Sequence, residues 1–83
     1  MKILYFAKIK EIIGKNEDSI NIDDQNTVGE IIEKLKLIDE SYKIAFKDLK
    51  NIKCSVNCDY IKSFQTKVTN TDEIAFFPPV TGG

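Results

Sequence analysis

The residues with the clearest chemical promise stand together at the end of the chain, where Pro78, Pro79, Val80, Thr81, Gly82 and Gly83 follow one another. Paired prolines favour an extended, polyproline-like path. Gly82 and Gly83 carry no Cβ, so they can enter a slot that any other residue would obstruct. An α-carboxylate with a pKa of ~3.5 is ionised and unreactive at neutral pH, so it must first be activated, for instance as an acyl-adenylate. This pattern points to acyl chemistry at the Gly83 carboxyl, carried out in the narrow, dry site of another protein. The competing reading is an idle chain end, since termini are commonly frayed and tolerant of change. Stiffness followed two residues later by bareness argues for the first. Cys54 and Cys58, in the string CSVNC, are the second candidates. A structural zinc site takes four ligands, and the chain has no His and no second Cys pair. A reducing cytosol disfavours a disulfide. The expectation is a small buried thiol at Cys54 and a turn residue at Cys58, with no metal.

The chain that must position this tail has 83 residues, enough for one domain. A chain of this length holds a modest core and has no room for a deep catalytic cleft of its own. Action through a larger partner is therefore expected, with this chain not catalytic alone. The net charge is -1, with 12 Lys and no Arg. No charge block suggests a nucleic-acid tail, and the bidentate reader of phosphates and bases is missing, so no nucleic-acid partner is expected. No apolar run approaches the ~20 residues of a membrane span, and no secretory leader is visible. A cytoplasmic location and no membrane partner follow as expectations.

Periodicity supplies the elements. Lys2 to Ala7 reads as a strand with Ile3 and Tyr5 on one face and Leu4 and Phe6 on the other, both apolar. Ile9, Ile12 and Ile13 predict a short helix over 8–13, stopped at Gly14. Ile20 and Ile22 alternate with polar neighbours and predict a half-buried strand in SINID, residues 19–23. Thr27 and Glu30 form a capping-box pair, and Val28, Ile31, Ile32 and Leu35 make one apolar stripe behind it. Residues 39–52 fit either a short helix or an irregular packed segment around Ile44, Ala45, Phe46 and Leu49. CSVN predicts a strand, 57–59 a turn, 60–62 a short strand, 70–72 a turn and Glu73 to Phe77 the last strand. In that strand Ile74 and Phe76 face one way, Ala75 and Phe77 the other. The first and last strands are the most apolar and should be central and adjacent. This order predicts an α+β, β-grasp (ubiquitin-like) domain over 1–77, its mixed sheet covered on one face by a helix, and a free tail over 78–83.

Several stretches resemble one known family. FFPPVTGG (76–83), ILYFAKIKEIIG (3–14), CSVNCDYI (54–61) and VTNTDEIAFFPP (68–79) are similar to the small subunit of molybdopterin synthase, a ubiquitin-like sulfur carrier. The resemblance covers nearly the whole chain and is weakest at 15–26 and 39–53. It implies that a ubiquitin-activating-like adenylyltransferase, consuming ATP, adenylates Gly83, and that the product becomes a thiocarboxylate. It implies that the tail then enters the large synthase subunit, within a heterotetramer. There sulfur passes to cyclic pyranopterin monophosphate to build the dithiolene. This chain itself would hold no cofactor. The family's docking face carries over to Phe6, Tyr60 and Phe77, with Tyr60 standing where an aliphatic residue is expected. Residues 78–81 would insert with the glycines. The bare apolar face of the sheet independently favours docking by the two phenylalanines. Other readings are a sulfur carrier for thiamin thiazole synthesis, a protein-conjugating modifier that ends in an isopeptide bond to Lys, and a plain interaction module. FFPP and the chain length argue against the thiazole reading.

Overall fold

The computed structural model describes residues 1–79, so Val80, Thr81, Gly82 and Gly83 fall outside the described residues. Strand β1 (Lys2–Tyr5) leads into helix α1 (Ala7–Ile13), and Gly14 closes that helix in the left-handed region, at φ 85°. Strand β2 (Glu17–Ser19) and the two-residue β3 (Asn26–Thr27) precede helix α2 (Val28–Lys36). Helix α3 (Glu40–Ala45) and a 3-10 turn (Leu49–Asn51) follow, then β4 (Lys53–Val56), β5 (Asp59–Tyr60), β6 (Lys67–Val68) and β7 (Glu73–Phe77). Five strands form the main sheet in the order β2-β1-β7-β4-β5, with β1 and β7 parallel and the other neighbours antiparallel. Strands β3 and β6 pair separately. The expected β-grasp architecture is therefore present, with the first and last strands adjacent inside the sheet.

Helix α2 forms where the capping box predicts. Thr27 Oγ1 accepts from the Glu30 amide at 3.1 Å, and Glu30 Oε1 accepts from the Thr27 amide at 2.8 Å. Its stripe of Val28, Ile31, Ile32 and Leu35 is fully buried against the sheet. The inward residues of β1 and β7, Ile3, Tyr5, Ile74 and Phe76, meet it as the alternation requires. Phe76 sits at the centre of an aromatic group, edge-on to Phe46 at 5.0 Å and stacked on Tyr5 at 6.5 Å between ring centroids.

Two segments differ from expectation. Ladder pairing of the second strand covers Glu17–Ser19 and not 19–23. Ile20 and Ile22 do point inward, but their backbone partners are not a strand: Ile20 bonds with Met1, and Ile22 with the Asn70 side chain. The alternation marked the inward side correctly, but the strand ends at Ser19. Strand β5 stops at Tyr60, with one further bond from the Ile61 amide to the Cys54 carbonyl. Residues 39–52, left open above, hold α3 and the 3-10 turn. Asp39 caps α3 by accepting from the Ser41 amide at 3.2 Å, and Asp48 caps the turn by accepting from the Lys50 amide at 3.2 Å. Phe46 and Tyr42 enter the core from this segment, whereas Ile44 stays exposed.

Candidate functional site: an open sheet face and the root of the tail

The register fixes which side chains share the open face of the sheet. Leu4 pairs with Ala75, Ala75 with Ser55, Ser55 with Tyr60, and Phe77 with Lys53, so these side chains point together, away from α2. Phe6 extends the row. Its amide donates to the Phe76 carbonyl at 3.1 Å, its backbone remains extended, and its ring is exposed. The rings of Tyr60 and Phe77 lie 5.5 Å apart, and Tyr60 is 78% exposed, far too open to be core. The structure thus brings Phe6, Tyr60 and Phe77 to one face, directly before Pro78. Their exposure excludes a purely core role for Phe6 and Tyr60.

A clamp places Tyr60. Asn57 and Cys58 turn the β4–β5 hairpin with both residues left-handed, at φ 51° and 72°. This is the two-residue geometry whose twist matches the flanking strands. The Asn57 side chain then grips the start of β7: its Nδ2 donates to Asp72 Oδ1 at 2.8 Å and its Oδ1 accepts from the Glu73 amide at 2.9 Å. The Asp72 carboxyl is held below the usual carboxylate range by the Thr69 amide and by Asn57. Sequence reading placed the turn but missed the clamp. The signal was Asn at the first turn position, with a side chain able to bond backbone that adjoins only in the folded sheet.

A second device fixes the end of β1. Asp18 accepts from the Tyr5 hydroxyl at 2.8 Å and the Tyr42 hydroxyl at 2.6 Å, while Lys15 Nζ donates to its other oxygen at 3.1 Å. Burial, then hydrogen bonding to Asp18, pushes both tyrosine hydroxyls above their ordinary pKa. Burial alone would raise the Asp18 carboxyl, but donation from Tyr42, Tyr5 and Lys15 outweighs it and leaves the group below its ordinary value. This network was not legible beforehand, because Tyr42 lay in the segment whose structure stayed open.

The first tail residues do not leave the domain at once. Pro78 and Pro79 are half-buried and line a groove with Ile9 and Ile12 of α1, Ile44 of α3 and Ile52. The expected reacting end, Gly82 and Gly83, and the expected insertion residues Val80 and Thr81 lie outside the described residues. Cys54 is buried on the helix side of β4, and burial pushes its thiol up to about 12, so it stays protonated and unfit as a nucleophile. Cys58 is exposed at the hairpin turn. Both placements match expectation. Among the described residues no group of three or more His, Cys, Asp or Glu side chains is gathered to hold a metal. Among the described residues the arrangement offers a recognition surface built on the exposed Phe6 and Tyr60 and the adjoining Phe77.

Fold and site together define a ubiquitin-like domain that presents an aromatic face beside the root of its C-terminal tail. The sequence matches the ThiS family over residues 3–83, and the chain belongs to that family. The molybdopterin synthase sulfur carrier subunit of Dictyostelium discoideum is 46% identical over 86 residues, covering 99% of this chain and 94% of that protein. The protein of the same name from Escherichia coli is 34% identical, covering 100% and 99%. Among solved structures, SAMP1 from Haloferax volcanii superposes with a TM-score of 0.75 at 24% identity, covering 100% of this chain and 98% of that one, a likeness of fold.

Proposed function

We propose that this chain is the sulfur carrier subunit of a molybdopterin synthase. The observation that carries the reading is the exposed aromatic face beside Pro78 and Pro79, at the root of a tail whose sequence ends in Gly82-Gly83. A face of this kind holds the domain on a partner while the tail is threaded into the partner's slot. The relatives' shared name supports the choice of pathway. In this reading the Gly83 carboxylate attacks the α-phosphorus of ATP in an adenylyltransferase partner and releases pyrophosphate. A sulfide equivalent then displaces AMP from the acyl carbon and leaves a thiocarboxylate. In the large synthase subunit the thiocarboxylate sulfur attacks a carbon of cyclic pyranopterin monophosphate and displaces the oxygen bound there, which leaves with the bonding pair. Water then cleaves the acyl–sulfur bond, leaving the sulfur on the pterin and regenerating the Gly83 carboxylate. Phe6, Tyr60, Phe77, Pro78, Pro79, Val80 and Thr81 bind the partners, Gly82 and Gly83 supply the slender reacting end, and ATP belongs to the activating enzyme. The assembly is a heterotetramer and its place is the cytoplasm. No helix of the described residues is long and apolar enough to cross a membrane.

Intact-mass measurement of the chain from cells that also make the activating enzyme tests this reading. The expected result is exchange of one oxygen for sulfur at Gly83. An isopeptide adduct to a Lys would instead make the chain a modifier, and an unaltered carboxylate would overturn the carrier reading.

A further inference from the structure

Two surface depressions flank the root of the tail, one reaching Phe77 and the other Pro78 and Pro79, and each carries two lysines. On the β4–β5 side, Phe77 and Tyr60 form a notch with Lys53 and Lys62. On the helical side, Pro78 and Pro79 line their groove with Lys8 and Lys47. Lys53 stands directly across the ladder from Phe77. All four lysines are exposed, and none takes part in an ion pair among the described residues, a state they share with Lys10, Lys34, Lys50 and Lys67. The single acid in either depression, Asp48, is engaged by the Lys50 amide and by Asn51. The whole chain is nearly neutral at -1, so the collar is a local arrangement and not a reflection of overall charge.

We propose that Lys8, Lys47, Lys53 and Lys62 form a cationic collar that steers the tail into a slot whose mouth is acidic on the partner. The inference rests on the carrier reading and specifies the partner surface. Pro78 and Pro79 stand at the root of the tail, so lysines beside them would face the mouth of any slot that the tail enters. Unpaired surface cations gain from an opposing acidic rim without breaking contacts of their own, and charge of this kind acts chiefly on the rate of encounter. The apolar residues within the collar then hold the docked complex. Lysine at a rim attracts an opposing carboxylate as a point charge, without the geometric demand of a bidentate pair.

The experiment measures association of the full chain with the large synthase subunit of its own organism by stopped-flow, at ionic strengths from about 0.05 to 0.5 M, where screening lengths fall to a few ångströms. The unaltered chain should associate roughly tenfold more slowly at the high end. Replacing all four collar lysines by Gln should lower the low-salt rate by about the same factor and flatten the salt dependence, with dissociation changed little. The pairs Lys8→Gln with Lys47→Gln, and Lys53→Gln with Lys62→Gln, should each give part of the effect. The same number of Lys→Gln changes at Lys34, Lys36, Lys43 and Lys67 controls for net charge and should leave most of the steering in place. A rate independent of salt for the unaltered chain overturns the collar, as does equal slowing by the control set. Either result leaves the carrier reading standing if binding persists. Absence of any binding by the unaltered chain overturns both.

Discussion

Replacing Asp18 by Ala removes one acceptor that two tyrosines share. Tyr5 is 1% exposed and Tyr42 is 2% exposed, and both hydroxyls donate to the same carboxylate oxygen. An unpaired buried polar group costs about 1–3 kcal/mol. Asp18 is itself only half-buried, so water can partly replace it, and the lower part of that range applies to each hydroxyl. The expected loss is about 2–4 kcal/mol, which in a domain of this size lowers Tm by roughly 12–24 °C. Thermal and urea unfolding followed by circular dichroism measure it. In a Tyr5→Phe, Tyr42→Phe background the hydroxyls are gone, and the same Asp18→Ala change should cost under about 1 kcal/mol. An equal cost in both backgrounds would refute the argument, because Asp18 would then act through something other than these hydroxyls. The pH dependence adds a second check. The Asp18 carboxyl lies below its unfolded value, so its stabilisation is present above the ordinary carboxylate pKa of ~4 and is lost as pH falls toward the folded value. The two tyrosines lie above theirs, so their contribution is present below about pH 10 and is lost as pH rises further. Asp18→Asn should flatten the acid limb in particular.

Phe77→Asp should weaken binding to the large synthase subunit by about 30-fold or more while the domain stays folded, as read by calorimetry. Should that variant unfold, Tyr60→Ala at its exposed site gives the same test, and unchanged affinity would remove the ring pair from the docking face. Cys58→Gly relieves a left-handed β-carbon and should raise Tm by about 5 °C under reducing conditions, and a fall would mean the turn carries no such strain. Thr27→Ala breaks the capping box and should cost about 1 kcal/mol, against almost nothing if water replaces the hydroxyl.

The sequence by itself determined whatever rests on local order. The stripe of Val28, Ile31, Ile32 and Leu35, its Thr27–Glu30 cap and the Gly14 stop depend on neighbours within one helical turn. The faces of β1 and β7 depend on simple alternation. The FFPPVTGG string, too, is legible because its meaning lies in residue types and not in packing. Tertiary structure decided the rest. Ile20 and Ile22 alternate like a strand, yet Met1 and Asn70 take their backbone bonds, and no local pattern names such distant partners. Tyr42 reaches Asp18 only after α3 has folded against α1. Lys8, Lys47, Lys53 and Lys62 are scattered along the chain and look like ordinary solvated charge. They become a collar because β1 pairs with β7, β7 with β4 and β4 with β5, while α3 packs on α1, and together these bring four separate segments to the point where the tail begins. Local propensity acts over a few residues, whereas a shared site is set by which backbones pair, and pairing is settled only when the core closes.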